Sequence, residues 1–319
     1  MDSPRYTVIV PMRQFRAGEP VLTSLRETVP AATGGVQILV AEGGHPARQR
    51  NLALARAEGE IVVFLDNDCS LAPDFWPELA AAFARPGVEI VGGPARLRPQ
   101  AGAGEEIFHT LLTHPLVVGP VCARYAPRGS FRATTEMELI LCNLAARRSI
   151  FAKIGPLSTE LFPNEENEWL DRAQAAGAGI YYDPGLQVFR PQRAAWPQMG
   201  AMLVRNGMGR TRQFRVSGWR ATPHHFLPVI LLLPPLALVL GSSYLMGFAF
   251  LWLATSAVVA LTCDSRLRGW RRIVAGLAAP LIPFTYAVGQ VFGWIALFFP
   301  RPVSSAEIVL LNERGDLVP

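Results

Sequence analysis

Short apolar runs alternate with amphipathic stretches through the amino-terminal part of the chain. Tyr6-Thr7-Val8-Ile9-Val10-Pro11 is β-branched and stopped by proline, and Val36 to Val40 is a second such run. Pro20 to Glu27 between them has helical spacing, so the pattern predicts strand, helix, strand. Pro46 to Glu58 reads as a helix that leads, past Gly59, into Ile61-Val62-Val63-Phe64-Leu65. A run with no polar member is what a strand covered on both faces requires. Pro73 to Ala84 (helix) and Val88 to Val91 (strand) continue the alternation. Repeated β and α elements predict an α/β, doubly wound sheet with ligands beyond the carboxyl ends of its strands.

Residues 97–135 are broken by Gly, Pro and Arg and are expected to form a mobile loop. The pattern returns from Glu136 to Phe151, then as a helix over Asn164 to Ala176, a strand at Gly179 to Tyr182 and a turn at Asp183-Pro184-Gly185. Beyond this point the polarity changes. Gln198 to Arg220 interleaves Arg205, Arg210, Arg212, Arg215 and Arg220 with Met and aromatic residues, the pattern of a basic juxtamembrane amphipathic helix or of an ordinary solvated one. Phe226 to Leu240 and Tyr244 to Thr262 carry no charge and flank Gly241-Ser242-Ser243, which predicts a helical hairpin across a bilayer. Ile273 to Phe299 is a third apolar stretch, interrupted by Pro280 and Pro283. The expected organisation is a catalytic domain over 1–197, a basic segment over 198–223, two or three transmembrane helices within 224–300 and a tail over 301–319.

Composition sharpens this division. Half of the 319 residues are hydrophobic and 17% are charged, with the charges concentrated before His225, so a water-soluble part precedes a membrane part. The net charge is +5, and Lys153 is the only lysine among the basic residues. With no polybasic tail or stacked aromatic pattern, nucleic acid is not an expected partner. Cys69, Cys122, Cys142 and Cys263 form no CxxC, so neither a zinc site nor a disulfide framework is indicated. The first residues run directly into a strand without the apolar core of a signal peptide. Arg266, Arg268, Arg271 and Arg272 follow the expected hairpin, and the positive-inside rule places that loop, with the catalytic part, on the cytoplasmic side.

The sharpest chemical signal is Phe64-Leu65-Asp66-Asn67-Asp68, two carboxylates one residue apart at the end of a buried strand. Such a pair suits a hard divalent cation that shares its coordination with substrate phosphates. It suits a capped turn equally well. The histidines His45, His109, His114, His224 and His225 offer no competing ligand cluster, and there is no Gly-x-x-x-x-Gly-Lys loop.

Taken in order, Val8-Ile9-Val10-Pro11, Arg50-Asn51, Gly59-Glu60, the Asp66-Asn67-Asp68 segment, Asn143 to Arg148 with Phe151 and Gly155, Glu165 to Arg172, Gly177 and Asp183-Pro184 resemble the family 2 glycosyltransferases of GT-A fold. The resemblance covers roughly residues 5 to 195. It implies a nucleotide-sugar-binding, Rossmann-like domain in which Asp66 and Asp68 hold a divalent metal, Mn²⁺ or Mg²⁺, and the donor diphosphate. It further implies that Pro11, Arg13, Glu42, Arg50 and Asn51 line the nucleotide site, with a UDP-sugar as the expected donor. Where the family has Glu-Asp, this chain has Glu165-Glu166, and Trp169 and Arg172 keep the register if Glu166 replaces the aspartate. Glu166 is then the candidate base that takes the acceptor hydroxyl's proton. Glu165, Trp169 and Arg172 become candidate acceptor or diphosphate contacts.

The family's metal-completing histidine is replaced by Arg190, which has no lone pair to offer a metal. Arg190-Pro191, Arg193 and the Gly-Arg-rich helix resemble the succinoglycan-type bacterial branch with membrane anchors. On that likeness Arg190, Arg210 and Arg212 are candidates for a diphosphate. The reading is an inverting, metal-dependent hexosyl transfer to a membrane-associated, lipid-linked glycan at the bacterial inner membrane, in surface or exopolysaccharide synthesis. A polyprenyl-phosphate glycosyltransferase and a catalytically inactive membrane scaffold of the same fold are the alternatives.

Overall fold

The computed structural model describes residues 4–29, 35–217, 244–263, 267–298 and 308–318, which fall into two compact units. The first comprises residues 1–98, 123–191 and 302–319; the second comprises 99–122 and 192–301.

In the first unit the chain runs β1 (Tyr6–Met12), α1 (Pro20–Thr28), β2 (Val36–Glu42), α2 (Pro46–Leu54), β3 (Ile61–Leu65), β4 (Ser70–Leu71), α3 (Phe75–Ala84), β5 (Ile90–Gly92) and β6 (Ala95–Leu97). It resumes with β7 (Arg132–Ala133), β8 (Asn143–Arg147), α6 (Arg148–Ile154), α7 (Glu165–Ala175), β9 (Ile180–Tyr182), β10 (Val188–Arg190) and β11 (Val309–Asn312). Helices α4 (Ala103–Thr113) and α5 (Pro115–Val118) belong to the second unit.

The main sheet has the order β11-β2-β1-β3-β8-β5-β9-β7. β1 is parallel to both β2 and β3, so the predicted strand-helix-strand succession holds where the apolar runs are longest. The sheet is mixed, not doubly wound in parallel throughout. β8 starts beside the end of β3, pairing Asn143 with Leu65, and must therefore run antiparallel between β3 and β5. Both faces are covered: Ile61, Val63 and Leu65 join a core with α1 and α3, while Val62 and Phe64 join one with α2, α6 and α7. That two-sided burial explains why β3 lacks polar residues.

Several expectations are revised. Residues 97–135 are not a mobile loop: within the second unit, 103–113 is a helix whose Glu105 carboxylate accepts from the Gly102 N–H at 2.9 Å and whose Ile107, Phe108, Leu111 and Leu112 are buried. A helix-start signal and an i, i+4 apolar spacing outweigh the surrounding glycines. Within the carboxyl-terminal tail, Val309–Asn312 pairs antiparallel with β2, Leu310 against Ala41 and Leu311 against Val40.

In the second unit α8 (Trp196–Val216) packs on the helix Leu281–Ala296. A Cβ on Gly207 would stand 2.2 Å from the Tyr286 carbonyl oxygen, so the approach requires glycine. Thr211 adds a 3.0 Å hydrogen bond to the Gln290 carbonyl. The basic segment is accordingly a packed helix in which Arg210 is buried and Arg212 half-buried, not one lying free on a surface. Tyr244–Thr262 is helical as expected. Among the described residues, one helical stretch, Trp270–Ala296, is long and apolar enough to cross a membrane by length and composition. Phe226 to Leu240, the Gly241-Ser242-Ser243 turn and the His224-His225 pair lie outside the described residues.

Candidate active site

Asp66 and Asp68 leave the carboxyl end of β3 on a turn closed by the Cys69 N–H donating to the Asp66 carbonyl at 3.2 Å. Asn67 points the other way, its amide donating to Glu19 at 3.1 Å. The alternation leaves both aspartates on one side, with side chains 27% and 30% exposed.

A small sheet, β4-β10-β6, supplies their partner. β10 runs antiparallel to β4, pairing Val188 with Leu71 and Phe189 with Ser70, so the next residue, Arg190, falls level with the aspartate turn. Its guanidinium bridges the two carboxylates, at 3.4 Å to Asp66 Oδ2 and 3.0 Å to Asp68 Oδ2. Arg50, buried on α2, donates to Asp66 Oδ1 at 2.8 Å and to Glu165 Oε1 at 3.2 Å. Arg50 thus binds protein carboxylates and joins the dyad to the amino-terminal turn of α7.

Asn164, just before α7, has φ 85°, a left-handed conformation that asparagine tolerates better than most residues. The three glutamates that follow have different surroundings. Glu168 is buried and held by Arg172, at 2.6 Å and 2.9 Å. Glu165 is buried with Oε2 lacking any hydrogen-bond partner. Burial, then the neighbouring Glu166 charge, raise its pKa from 4.5 to about 7 against the opposing pull of Arg50. Glu166 is half-buried and makes no hydrogen bond or ion pair among the described residues. It is the one carboxylate of the three left open to a ligand. Burial also raises the phenol of half-buried Tyr125, on which both Arg190 and Glu166 act electrostatically. Tyr125 is thus within electrostatic reach of both Arg190 and Glu166, a neighbour that no sequence pattern indicated.

Other expected contacts prove to be structural. Trp169 is fully buried, stacks on Phe151 with ring centres 4.8 Å apart and donates to the Gly155 carbonyl at 3.0 Å, so it cannot meet an acceptor. Gly155 itself has φ 79°, which glycine adopts without strain. Arg172 donates to the Ile154 and Pro156 carbonyls as well as to Glu168, which makes it a brace for that loop. Asn51 is bonded at both ends of its amide to the backbone of Leu157, at 2.8 Å and 3.0 Å, and not turned to a nucleotide. Pro11 is buried near the end of β1 and Arg13 is exposed just beyond it. Glu42, at the end of β2, accepts from the Phe15 N–H at 2.7 Å, which fixes the loop that carries Arg13. His45 caps α2, its ring nitrogen accepting from the Arg48 N–H. Arg210 and Arg212 belong to α8 of the second unit.

Among the described residues there is no cluster of three or more His, Cys, Asp or Glu side chains that could hold a metal. The dyad nonetheless fits a hard cation, because its two carboxylates already converge on one positive group. The remaining coordination would have to come from the ligand's phosphates and from water.

Residues 21–154 match the model of glycosyl transferase family 2. The fold is similar to that of a mannosyltransferase from Pyrobaculum calidifontis, described in complex with GDP-Man and Mn²⁺, at 17% identity and a TM-score of 0.52, covering 94% of this chain and 89% of that one. TarS residues 1–349 from S. aureus, in complex with UDP, align over 98% of this chain and 99% of that one at 13% identity, with a TM-score of 0.44 too low to carry an argument. No curated protein matches the sequence. With the paired aspartates at the end of β3, the family match identifies the protein as a glycosyltransferase.

Proposed function

We propose that the protein transfers a hexose from a nucleotide-sugar, with a UDP-sugar as the first candidate, to a hydroxyl of a membrane-associated, lipid-linked glycan, inverting the anomeric centre. The observation that carries the reading is the pairing of a cation-binding dyad, Asp66 and Asp68, with one open carboxylate, Glu166, within electrostatic reach of the same Tyr125 as Arg190. GDP-Man and Mn²⁺ bound to the Pyrobaculum calidifontis mannosyltransferase support a nucleotide-sugar and a divalent ion here.

Asp66 and Asp68 would hold the ion, which when bound neutralises charge on the departing diphosphate. Glu166 accepts the acceptor hydroxyl's proton as its oxygen attacks the anomeric carbon. Glu165, raised to about 7 by burial and by the Glu166 charge, is partly protonated at neutral pH, which lessens the negative charge beside Glu166. Arg50 fixes Asp66 to α7, so that donor and acceptor ends of the site are held in register. The apolar stretch Trp270–Ala296 and the arginines of α8 support a bilayer-associated setting, with the catalytic unit on the cytoplasmic side of the bacterial inner membrane. Surface-glycan or exopolysaccharide assembly, as in the succinoglycan-type branch, is the proposed context.

Calorimetric titration of UDP, GDP and CDP into the detergent-purified protein, with Mn²⁺ or with chelator, tests the donor site. Binding of one nucleotide that Asp68→Asn abolishes supports it. No binding of any nucleotide by folded protein refutes it.

A further inference from the structure

The dyad is already charge-balanced by side chains. Asp66 has one oxygen on Arg50 at 2.8 Å and the other on Arg190 at 3.4 Å, while Asp68 meets Arg190 at 3.0 Å. Both carboxylates of the dyad are paired with guanidiniums, of which Arg50 is shared with Glu165 at 3.2 Å, and arginine keeps its charge at any pH the fold survives. A divalent ion entering this part-buried site alone would leave two uncompensated positive charges. A nucleoside diphosphate entering alone would leave the reverse. Ion and diphosphate together largely cancel, and the diphosphate oxygens also supply the coordination that two carboxylates lack. The Arg190 fork engages one oxygen of each carboxylate on which such an ion would depend, and β10 holds the residue there through its pairing with β4 and β6.

We infer that Arg190 is a resident counter-cation that keeps the metal position closed until nucleotide arrives. Metal is then taken up with the nucleotide and not before it, and Arg190, released from the dyad, becomes a cation for the diphosphate. This rests on the donor site proposed above. It assigns to Arg190 a positioning role in the order of binding.

Electron paramagnetic resonance of Mn²⁺ added to the full-length, detergent-purified protein reads free against bound ion without any need for turnover. Wild type should bind Mn²⁺ at least 10-fold more weakly in the absence of nucleotide than in the presence of the nucleotide selected above. Arg190→Gln, which removes the cation from Asp68 and from Asp66 Oδ2 and leaves Asp66 paired with Arg50 alone, should bind Mn²⁺ without nucleotide at least 10-fold more tightly than wild type. Arg190→Lys retains a charge but not the two-pronged geometry, and should fall between them; it serves if the glutamine variant melts early. Equal nucleotide-free affinity in wild type and in whichever variant folds overturns the inference. So does tight Mn²⁺ binding by wild type alone. Loss of nucleotide binding in wild type, by contrast, sinks the donor site itself and is read from the calorimetry, not from the manganese signal.

Discussion

Glu165 offers a stability test that needs no substrate. Its carboxyl is raised from 4.5 to about 7 in the folded protein, chiefly by burial. A raised carboxyl pKa means the folded state binds the proton more tightly than the unfolded one. Stability is therefore undiminished below about pH 4.5 and falls as the pH rises, with the full penalty present above about pH 7. At 1.36 kcal/mol for each pH unit, the span corresponds to roughly 3 kcal/mol. Glutamine at this position keeps the shape and an acceptor for Arg50 but never ionises. Thermal unfolding of wild type and Glu165→Gln, compared from pH 4.5 to 8, should show the variant gaining on wild type as the pH rises, by about 6–12 °C across the window for a folding unit of this size. Taking the difference between the two proteins removes every other titration. An offset that stays constant over the window would show that Glu165 ionises normally and that Arg50 fully offsets its burial.

Glu166→Gln should lower turnover by about 10²- to 10⁴-fold, the usual worth of a general base, with nucleotide affinity unchanged; unchanged turnover in a transfer assay would instead support a lipid phosphate as acceptor, which has no proton to lose. Trp169→Ala removes a fully buried ring stacked on Phe151 and should cost about 3–5 kcal/mol in a denaturant melt, with no selective change in KM. Arg172→Ala strands the buried Glu168 carboxylate and should lower stability by about 1–3 kcal/mol, measured the same way. Leu310→Asp places a charge in the β11–β2 pairing and should depress the melting temperature of the catalytic unit, whereas an unchanged value would mean the strand adds nothing to it.

The long elements and the dyad were legible in the sequence because their signals are local. β1 and β3 announce themselves as uninterrupted apolar runs, and the aspartates follow the last residue of β3. Glu166 was singled out through register alone. Arg190 was recognisable as a departure at its position, but not as the partner of Asp66 and Asp68. That contact depends on the register of β4 and β10, strands of two and three residues, too short to show a periodicity. The protein partners of Trp169, Arg172 and Asn51 were hidden for a related reason. Position within a pattern does not say whether a side chain turns toward the ligand or toward Gly155, Ile154 and Leu157 behind it. Similarly, the glycines around Ala103–Thr113 masked a helix whose start is set by one carboxylate, Glu105.

The chain leaves the first unit at Pro191 and returns to complete its sheet with Val309–Asn312. A strand hydrogen-bonded to β2 occupies the same compartment as β2. A path that ends on the shore it left has crossed the water an even number of times, whatever its course between. An odd number of full passages between Pro191 and Val309 is thus incompatible with this sheet.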